Sequence, residues 1–370
     1  MTMGYLIIKA QTNVVFLPKF TNRFSGSHHR MEPINIKQLA ERLNLSTSTV
    51  SRAFRGHSDI NKATKEKILA MARELNYQPN PMASNLRDKK SKTIAVIVPE
   101  IANNFFSRAI NGIEKVARDN GYHVLIYLTN DEFEKEVDFI SGLHNGRVDG
   151  IIMSATGEAH DHSHMYQLRE RNIPLVFFDR MYDDIEASRV ATNDYESSFT
   201  ATKHLIESGC KRIAYLVVNK NLSIGKMRMQ GYLDALEVSG IQRDLELIID
   251  CSNELNRNLA ILGEAYRRLK PDGVFSSVER LAIASYYTCH GMNLKIGTDI
   301  KIVCFSSLEI APLLNPSLST ITQPAYDMGV EAARILFRQL TSEATGSSLA
   351  ESITLESELV VRHSTLGISV

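Results

Sequence analysis

Regular patterning begins at Ile36, where Ile36, Leu39, Ala40 and Leu43 recur at helical spacing until Asn44-Leu45 breaks the rhythm. Ser46 is a good N-cap for a second helix through about Arg55, with Val50, Ala53 and Phe54 on its apolar face and Gly56 to close it. Asn61 caps a third, in which Ile68, Leu69, Ala72 and Leu75 share one side while Lys62, Lys65 and Lys67 stay outside. The spacing therefore predicts three short helices around one small core, the first two joined tightly. After NYQPNP, Asn80 as cap and Pro81 at the first helical position announce a brief fourth helix, MASNLR, with almost no apolar face, and then the polar linker DKKSK.

From Thr93 the pattern becomes strand and helix in alternation: TIAVIVP, FFSRAINGIEKVARDNG, YHVLIYL, a helix around Phe133 to Leu143, VDGIIMS, IPLVFFD and RVATND. Continuously apolar strands of this kind belong to a parallel sheet covered by helices on both faces. After Tyr195 the series restarts, through RIAYLVV, a helix around Met229 to Ser239, LELIID, DGVFSS and IKIVCF, and a helix at Tyr326 to Leu340 and a strand at Ile353 to Val361 close it. Two similar α/β halves in series imply a cleft between them, where doubly wound sheets bind ligands.

Charge changes the picture once the chain is divided. The 42 basic and 42 acidic residues cancel overall, but residues 31–91 carry 11 bases against 6 acids, and residues 92–370 carry 27 against 36. A basic head on an acidic body is suited to a polyanion at one end only. The four cysteines, Cys210, Cys251, Cys289 and Cys304, are scattered and show no CxxC spacing, which supports neither a disulfide framework nor a zinc site and fits a reducing cytoplasm. No apolar run approaches the roughly eighteen residues of a membrane helix, and YLII and VVFL near the start are too short for an export signal. Residues 1–30 contain no acid and no periodicity, and Met31 stands just ahead of the first readable structure; they are expected to be a disordered extension or to lie upstream of the true start.

The run INIKQLAERLNLSTSTVSRAFRGHSDINKATKEKILAMARELNYQPNPMASNLR resembles the DNA-binding head of LacI-type (LacI/GalR family) bacterial transcription regulators, and the likeness continues through VDGIIMS, VFFDR, ATNDY, RMQGY, PDGVF and STITQP. The resemblance implies a helix-turn-helix head at 31–79, a hinge helix and linker at 80–91, and an effector-binding, dimerising body at 92–362. That body would be an α/β pair of periplasmic-binding-protein type, its N-subdomain at 92–193 plus 324–342 and its C-subdomain at 194–323 plus 350–362, followed by a tail at 363–370. In a helix-turn-helix the second helix enters the major groove. Thr47, Ser48 and Arg52 are then expected to read bases, and Thr49, Ser51, Asn61 and Lys62 to meet phosphates. The hinge is too short to be helical alone in water; by resemblance two copies pair across a homodimer in the minor groove, with Leu86 wedged between base pairs and Ala83 at the close contact. A dimer reading two half-sites implies a pseudo-palindromic operator.

By the same resemblance the effector pocket should include Asn104, Phe105, Phe106, Asp179, Asp194, Arg228 and Gln323. Two positions depart from the family pattern: Ser306 stands where an aspartate usually follows the KIVCF strand, and Glu279 replaces an aspartate in the DGVF region. The effector is expected to be carbohydrate, of a less typical kind, phosphorylated or acidic, or not a sugar at all. His160, His162 and His164 alternate in AHDHSHM, but no acidic partner is identifiable, so a solvated loop or helix start is expected rather than a metal site. No nucleophile–base–orienter set, phosphate loop or paired carboxylates emerge, so neither catalysis nor a cofactor is expected. The competing reading, a stand-alone periplasmic-type sugar-binding protein, would require an export signal and no basic head.

Overall fold

The computed structural model describes residues 34–54, 57–78, 90–143, 146–157, 161–341 and 350–366. The extension at 1–30 and the hinge positions Ala83 and Leu86 lie outside the described residues. The chain divides into two compact units, residues 1–81 and 82–370.

In the first unit, α1 (Ile36–Leu43) starts on a capping box: Asn35 Oδ1 accepts from the Lys37 and Gln38 amides (3.0 and 3.1 Å), and Gln38 Oε1 accepts from the Asn35 amide (2.8 Å). It ends on Asn44 at φ 55°, the left-handed C-cap that asparagine tolerates. Helices α2 (Thr47–Phe54) and α3 (Lys62–Glu74) complete the unit around Leu39, Ala40, Leu43, Val50, Ala53, Ile68 and Ala72. Leu69 and Leu75, expected in the core, are only half-buried.

The second unit contains two six-stranded sheets. The first lobe runs β1 (Thr93–Val98), α4 (Asn104–Asp119), β2 (His123–Leu128), α5 (Phe133–Leu143), β3 (Gly150–Met153), α6 (Ser163–Glu170), β4 (Leu175–Phe178) and β5 (Ser188–Thr192). The second runs α7 (Asp194–Glu207), β6 (Ile213–Val217), α8 (Ser223–Val238), β7 (Ile248–Asp250), α9 (Leu255–Leu269), β8 (Gly273–Ser276), α10 (Glu279–Gly291), β9 (Lys301–Phe305) and β10 (Ser319–Thr322). Then α11 (Ala325–Thr341) and β11 (Ser352–Leu355) return to the first lobe, and β12 (Glu358–Val360) and α12 (His363–Leu366) to the second. The strand orders are β11-β5-β4-β3-β1-β2 and β12-β10-β9-β8-β6-β7. All neighbours are parallel except β12, which runs antiparallel to β10.

Two sequence expectations need correction. The single strand at Ile353 to Val361, assigned with 350–362 to the C-subdomain, is two strands, one in each sheet. Between them the chain crosses beside an earlier crossing: the Asn193 amide donates to Leu355 O (3.2 Å), and Asn193 Oδ1 accepts from the Ser357 amide (2.8 Å). The tail at 363–370 begins as a helix that docks on β9 and β10, where buried Ser364 Oγ donates to Ile302 O (2.6 Å) and accepts from the Ser319 amide (2.8 Å). Short polar residues gave no apolar signal for that docking.

Each lobe is backed by a helix pair at very close approach. A Cβ on Gly112 of α4 would sit 2.2 Å from Tyr326 O, one on Gly329 of α11 2.0 Å from Ala109 O, and one on Gly231 of α8 2.3 Å from Tyr195 O. None of the helices among the described residues is long and apolar enough to cross a membrane. Because backbone cannot step aside as a side chain can, Gly112→Ala is expected to lower stability by about 1–3 kcal/mol, read as an earlier urea-unfolding midpoint. An unchanged midpoint would contradict this packing.

Candidate functional site

On the head, Ser46 Oγ accepts from the Thr49 amide (3.1 Å), which caps α2, and lies 2.7 and 2.8 Å from the Ser48 and Thr49 hydroxyls. Thr47, Ser48 and Arg52 are exposed, whereas Thr49 and Ser51 are half-buried. Asn61 Oδ1 is committed to capping α3 through the Ala63 amide (2.9 Å), beside exposed Lys62. Arg52 pairs with Asp59, a partner that spacing did not suggest because it lies in the loop between α2 and α3.

The body's candidate residues stand where parallel strands end and helices begin. Asp179 directly follows β4, at φ 63°; Glu279 opens α10; Ser306 follows β9; Gln323 follows β10; Phe105 and Phe106 lie in the first turn of α4. Together with Arg228 they wall a pocket in the cleft between the lobes. Asn104 and Asp194 are not on that wall but support residues that are. Asn104 Nδ2 donates across the cleft to Glu279 Oε1 (3.1 Å), whose Oε2 accepts from Ser306 Oγ (2.8 Å). A carboxylate is thus still presented beside the position where serine replaces the expected aspartate.

Arg228 is buried, and Nε donates to Asp194 Oδ1 (2.6 Å) and Nη1 to Ser277 O (2.7 Å), while Cζ lies 3.8 Å from the centre of the Phe305 ring. Burial opposes its charge, but Asp194 and Asp179 more than compensate, so the guanidinium stays charged. Asp194 Oδ2 also accepts from Thr192 Oγ1 (3.1 Å), which accepts from Gln323 Nε2 (3.0 Å). The two phenylalanines pack edge to face at 5.2 Å, and both belong to the hydrophobic core as well as the wall.

Arg180 and Ser307 on that wall, and Arg280 beside it, were not among the expected site residues. Arg180 donates to Asp131 Oδ1 (2.5 Å), Arg280 pairs across the cleft with Glu100, and Ser307 Oγ is buried with no hydrogen-bond partner among the described residues. Only the fold brings these partners together.

His162 and His164 stand at a helix start, one of the two expected settings, but they are not solvated. His164 Nε2 lies 3.0 Å from the wholly buried Glu136 Oε1, and His162 stacks on Tyr182 at 3.7 Å with Nδ1 2.9 Å from Asp184. Helix α6 starts at Ser163 and turns both rings inward. His160 lies outside the described residues, and no group of three candidate metal ligands occurs among the described ones.

Burial pushes the Asp179 carboxyl up to about 6, against the pull of Arg180 and Arg228. A carboxyl that binds its proton more tightly folded than unfolded makes stability fall as pH rises from its ordinary value of 3.8 to about 6, with the full penalty, about 3 kcal/mol, present at neutral pH. Asparagine keeps the shape and tolerates positive φ. Asp179→Asn is therefore expected to gain stability at pH 7, to gain little at pH 4, and to lose effector affinity; urea unfolding at the two pH values checks the first two.

Comparison with known proteins places these features. Residues 35–80 match the family described as bacterial regulatory proteins, lacI family, and residues 91–355 that described as periplasmic binding proteins and sugar binding domain of LacI family. The ribose operon repressor of Halalkalibacterium halodurans is 31% identical over 90% of this chain and 97% of its own. The transcriptional repressor CytR of Escherichia coli K12 is 31% identical over 89% and 96%. The crystal structure of the Lac repressor dimer bound to operator and an anti-inducer superposes with TM-score 0.77 at 23% identity, covering 91% of this chain and all of that one. These matches span both the head and the body, and the chain belongs to the LacI family of bacterial transcription regulators.

Proposed function

We propose that the protein is a homodimeric repressor that binds a pseudo-palindromic operator and is controlled by a neutral, hydroxyl-rich small molecule held between the lobes of its body. The observation that carries the DNA half is the exposed face of α2, where Thr47 and Ser48 in the first turn and Arg52 in the last stand clear of a core that fixes the helix from behind. Short hydroxyls permit close approach to base edges, and Arg52, released from Asp59, reaches guanine O6 and N7. Operator binding implies that the protein works in the cytoplasm.

The effector class follows from the charge balance of the cleft. Arg228 is held by Asp194, Arg180 by Asp131 and Arg280 by Glu100. Asp179 is left 3.7 Å from Arg180, and the Glu279 bonds run to an amide and a hydroxyl. A phosphate or carboxylate would meet a wall already carrying excess negative charge, whereas hydroxyl donors would satisfy it. This favours a neutral sugar or nucleoside over the phosphorylated or acidic ligand the sequence left open. A structural relative, the CelR–cellobiose complex (TM-score 0.67, 24% identity, covering 90% of this chain and 99% of that one), holds a neutral sugar.

For the dimer, each lobe offers an apolar face. Leu125 and Ile126 are exposed on edge strand β2 of the first, and Tyr287, Ile310 and Leu313 on the second. Unprotected edges and apolar patches of this kind are usually covered by a partner.

Selecting operators from a random duplex pool tests the DNA half. Arg52→Ala is expected to cost about 1–3 kcal/mol and relax preference at one base pair per half-site, while Lys62→Ala weakens all duplexes alike and lowers the salt slope by about one. Equal behaviour of the two variants would refute the division of roles, and failure to enrich any sequence would refute the repressor. Tyr287→Glu is expected to shift the protein from dimer to monomer in sedimentation velocity.

A further inference from the structure

Gly157, just beyond β3, has φ +85°, and a Cβ built on it would lie 1.8 Å from Leu222 Cδ2 and 3.2 Å from Leu222 Cγ. Leu222 belongs to the opposite lobe. It immediately precedes α8, is buried, and accepts at its carbonyl from the Lys226 amide (2.9 Å), so it anchors the first turn of the helix that carries Arg228. The next residue makes a second contact across the lobes, the Met181 amide donating to Ser223 Oγ (3.4 Å).

The notch that receives the leucine is rigidly built. Thr156 donates to Glu136 Oε2 through both its amide and its hydroxyl (3.0 Å each). Tyr182 donates its hydroxyl to Glu136 Oε1 (2.8 Å) and accepts from the Gly157 amide (3.3 Å), while His164 Nε2 sits 3.0 Å from the same Oε1. Glu136 has no solvent exposure, so this loop is fixed by a carboxylate shared among donors from three segments. The buried histidine–glutamate pair therefore has a structural task, which is to hold Gly157 in place.

We propose that Gly157 and Leu222 form a closure latch. The leucine enters the space left by the missing side chain only when the lobes are shut, and in doing so it sets α8, and with it Arg228, in the closed position. Gly157 is thus a positioning residue that acts through Leu222. This rests on the repressor reading only in that lobe closure is what the DNA-binding state responds to.

The test uses the full-length protein with Gly157→Cys and Leu222→Cys. The Leu222 Cα lies 3.8 Å from the Cβ position at 157, within reach of a disulfide. Cys210, Cys289 and Cys304 are buried and Cys251 half-buried, so mass spectrometry of the linked peptides identifies the bridge. Oxidation is expected to form it, to slow amide exchange at 220–226, and to change affinity for the selected operator at least fivefold relative to the reduced form. Gly157→Ala, a wedge that holds the leucine out, should move operator affinity the opposite way, and adding Leu222→Ala should cancel that effect. Strain at positive φ alone would not be relieved by the second change, so the rescue separates a latch from a merely destabilised loop. Failure of the bridge to form in folded protein, equal operator affinity of the oxidised and reduced forms, or a wedge that Leu222→Ala does not rescue would each overturn the latch. If the cysteine pair does not fold, the wedge and its rescue decide alone. If the wild-type chain binds no DNA, the repressor reading fails, while bridge formation and amide exchange still decide the latch.

Discussion

A buried guanidinium cannot stay charged without a carboxylate, and here that necessity ties the candidate pocket to the two crossings between the lobes. Arg228 of the second lobe is held by Asp194 at the first crossing between lobes, Asp194 accepts from Thr192, and Thr192 accepts from Gln323 at the second crossing. Removing one partner of such a pair would leave a bare charge out of water, at a cost of about 3–5 kcal/mol. The same side chain covers the Phe305 ring and forms part of the pocket wall. Whatever a ligand does to Arg228 is therefore felt where the chain passes between lobes.

Two kinds of contact hold the lobes together across the cleft. The polar ones, among them Asn104 to Glu279, Arg280 to Glu100 and Met181 to Ser223, are only partly buried. The apolar one, Leu222 in the notch of Gly157, is short-ranged and steric, and is made fully or not at all. Polar contacts with a steric catch are suited to two discrete states, which allosteric control requires.

Much of this was legible in the sequence because much of it is periodic. Leu39, Leu43, Val50 and Ile68 announced the head core, and the continuously apolar strands announced two parallel sheets. Ser46 and Asn61 were readable as caps because capping is local. What was not legible depends on pairs distant in the chain. Arg228 and Asp194 both stood out, but not their pairing; the histidine run stood out, but not Glu136, which lies 28 residues away on another helix. Ser306 and Glu279 read only as two separate departures from the family pattern, whereas in the fold Ser306 and Asn104 together orient the Glu279 carboxylate. The split of the last strand between two sheets was hidden because neither half departs from a strand pattern; it follows from where the earlier crossing lies.

The central claim is that the cleft and the DNA-binding head are thermodynamically linked. The most direct measurement is calorimetric titration of neutral sugars and nucleosides, with their phosphorylated counterparts, into the protein alone and into the protein saturated with its selected operator. The expected result is binding confined to a neutral compound, with a Kd that operator shifts by the same factor by which that compound shifts the operator Kd. Effector affinity identical with and without operator, or binding only of the phosphorylated compounds, would contradict it.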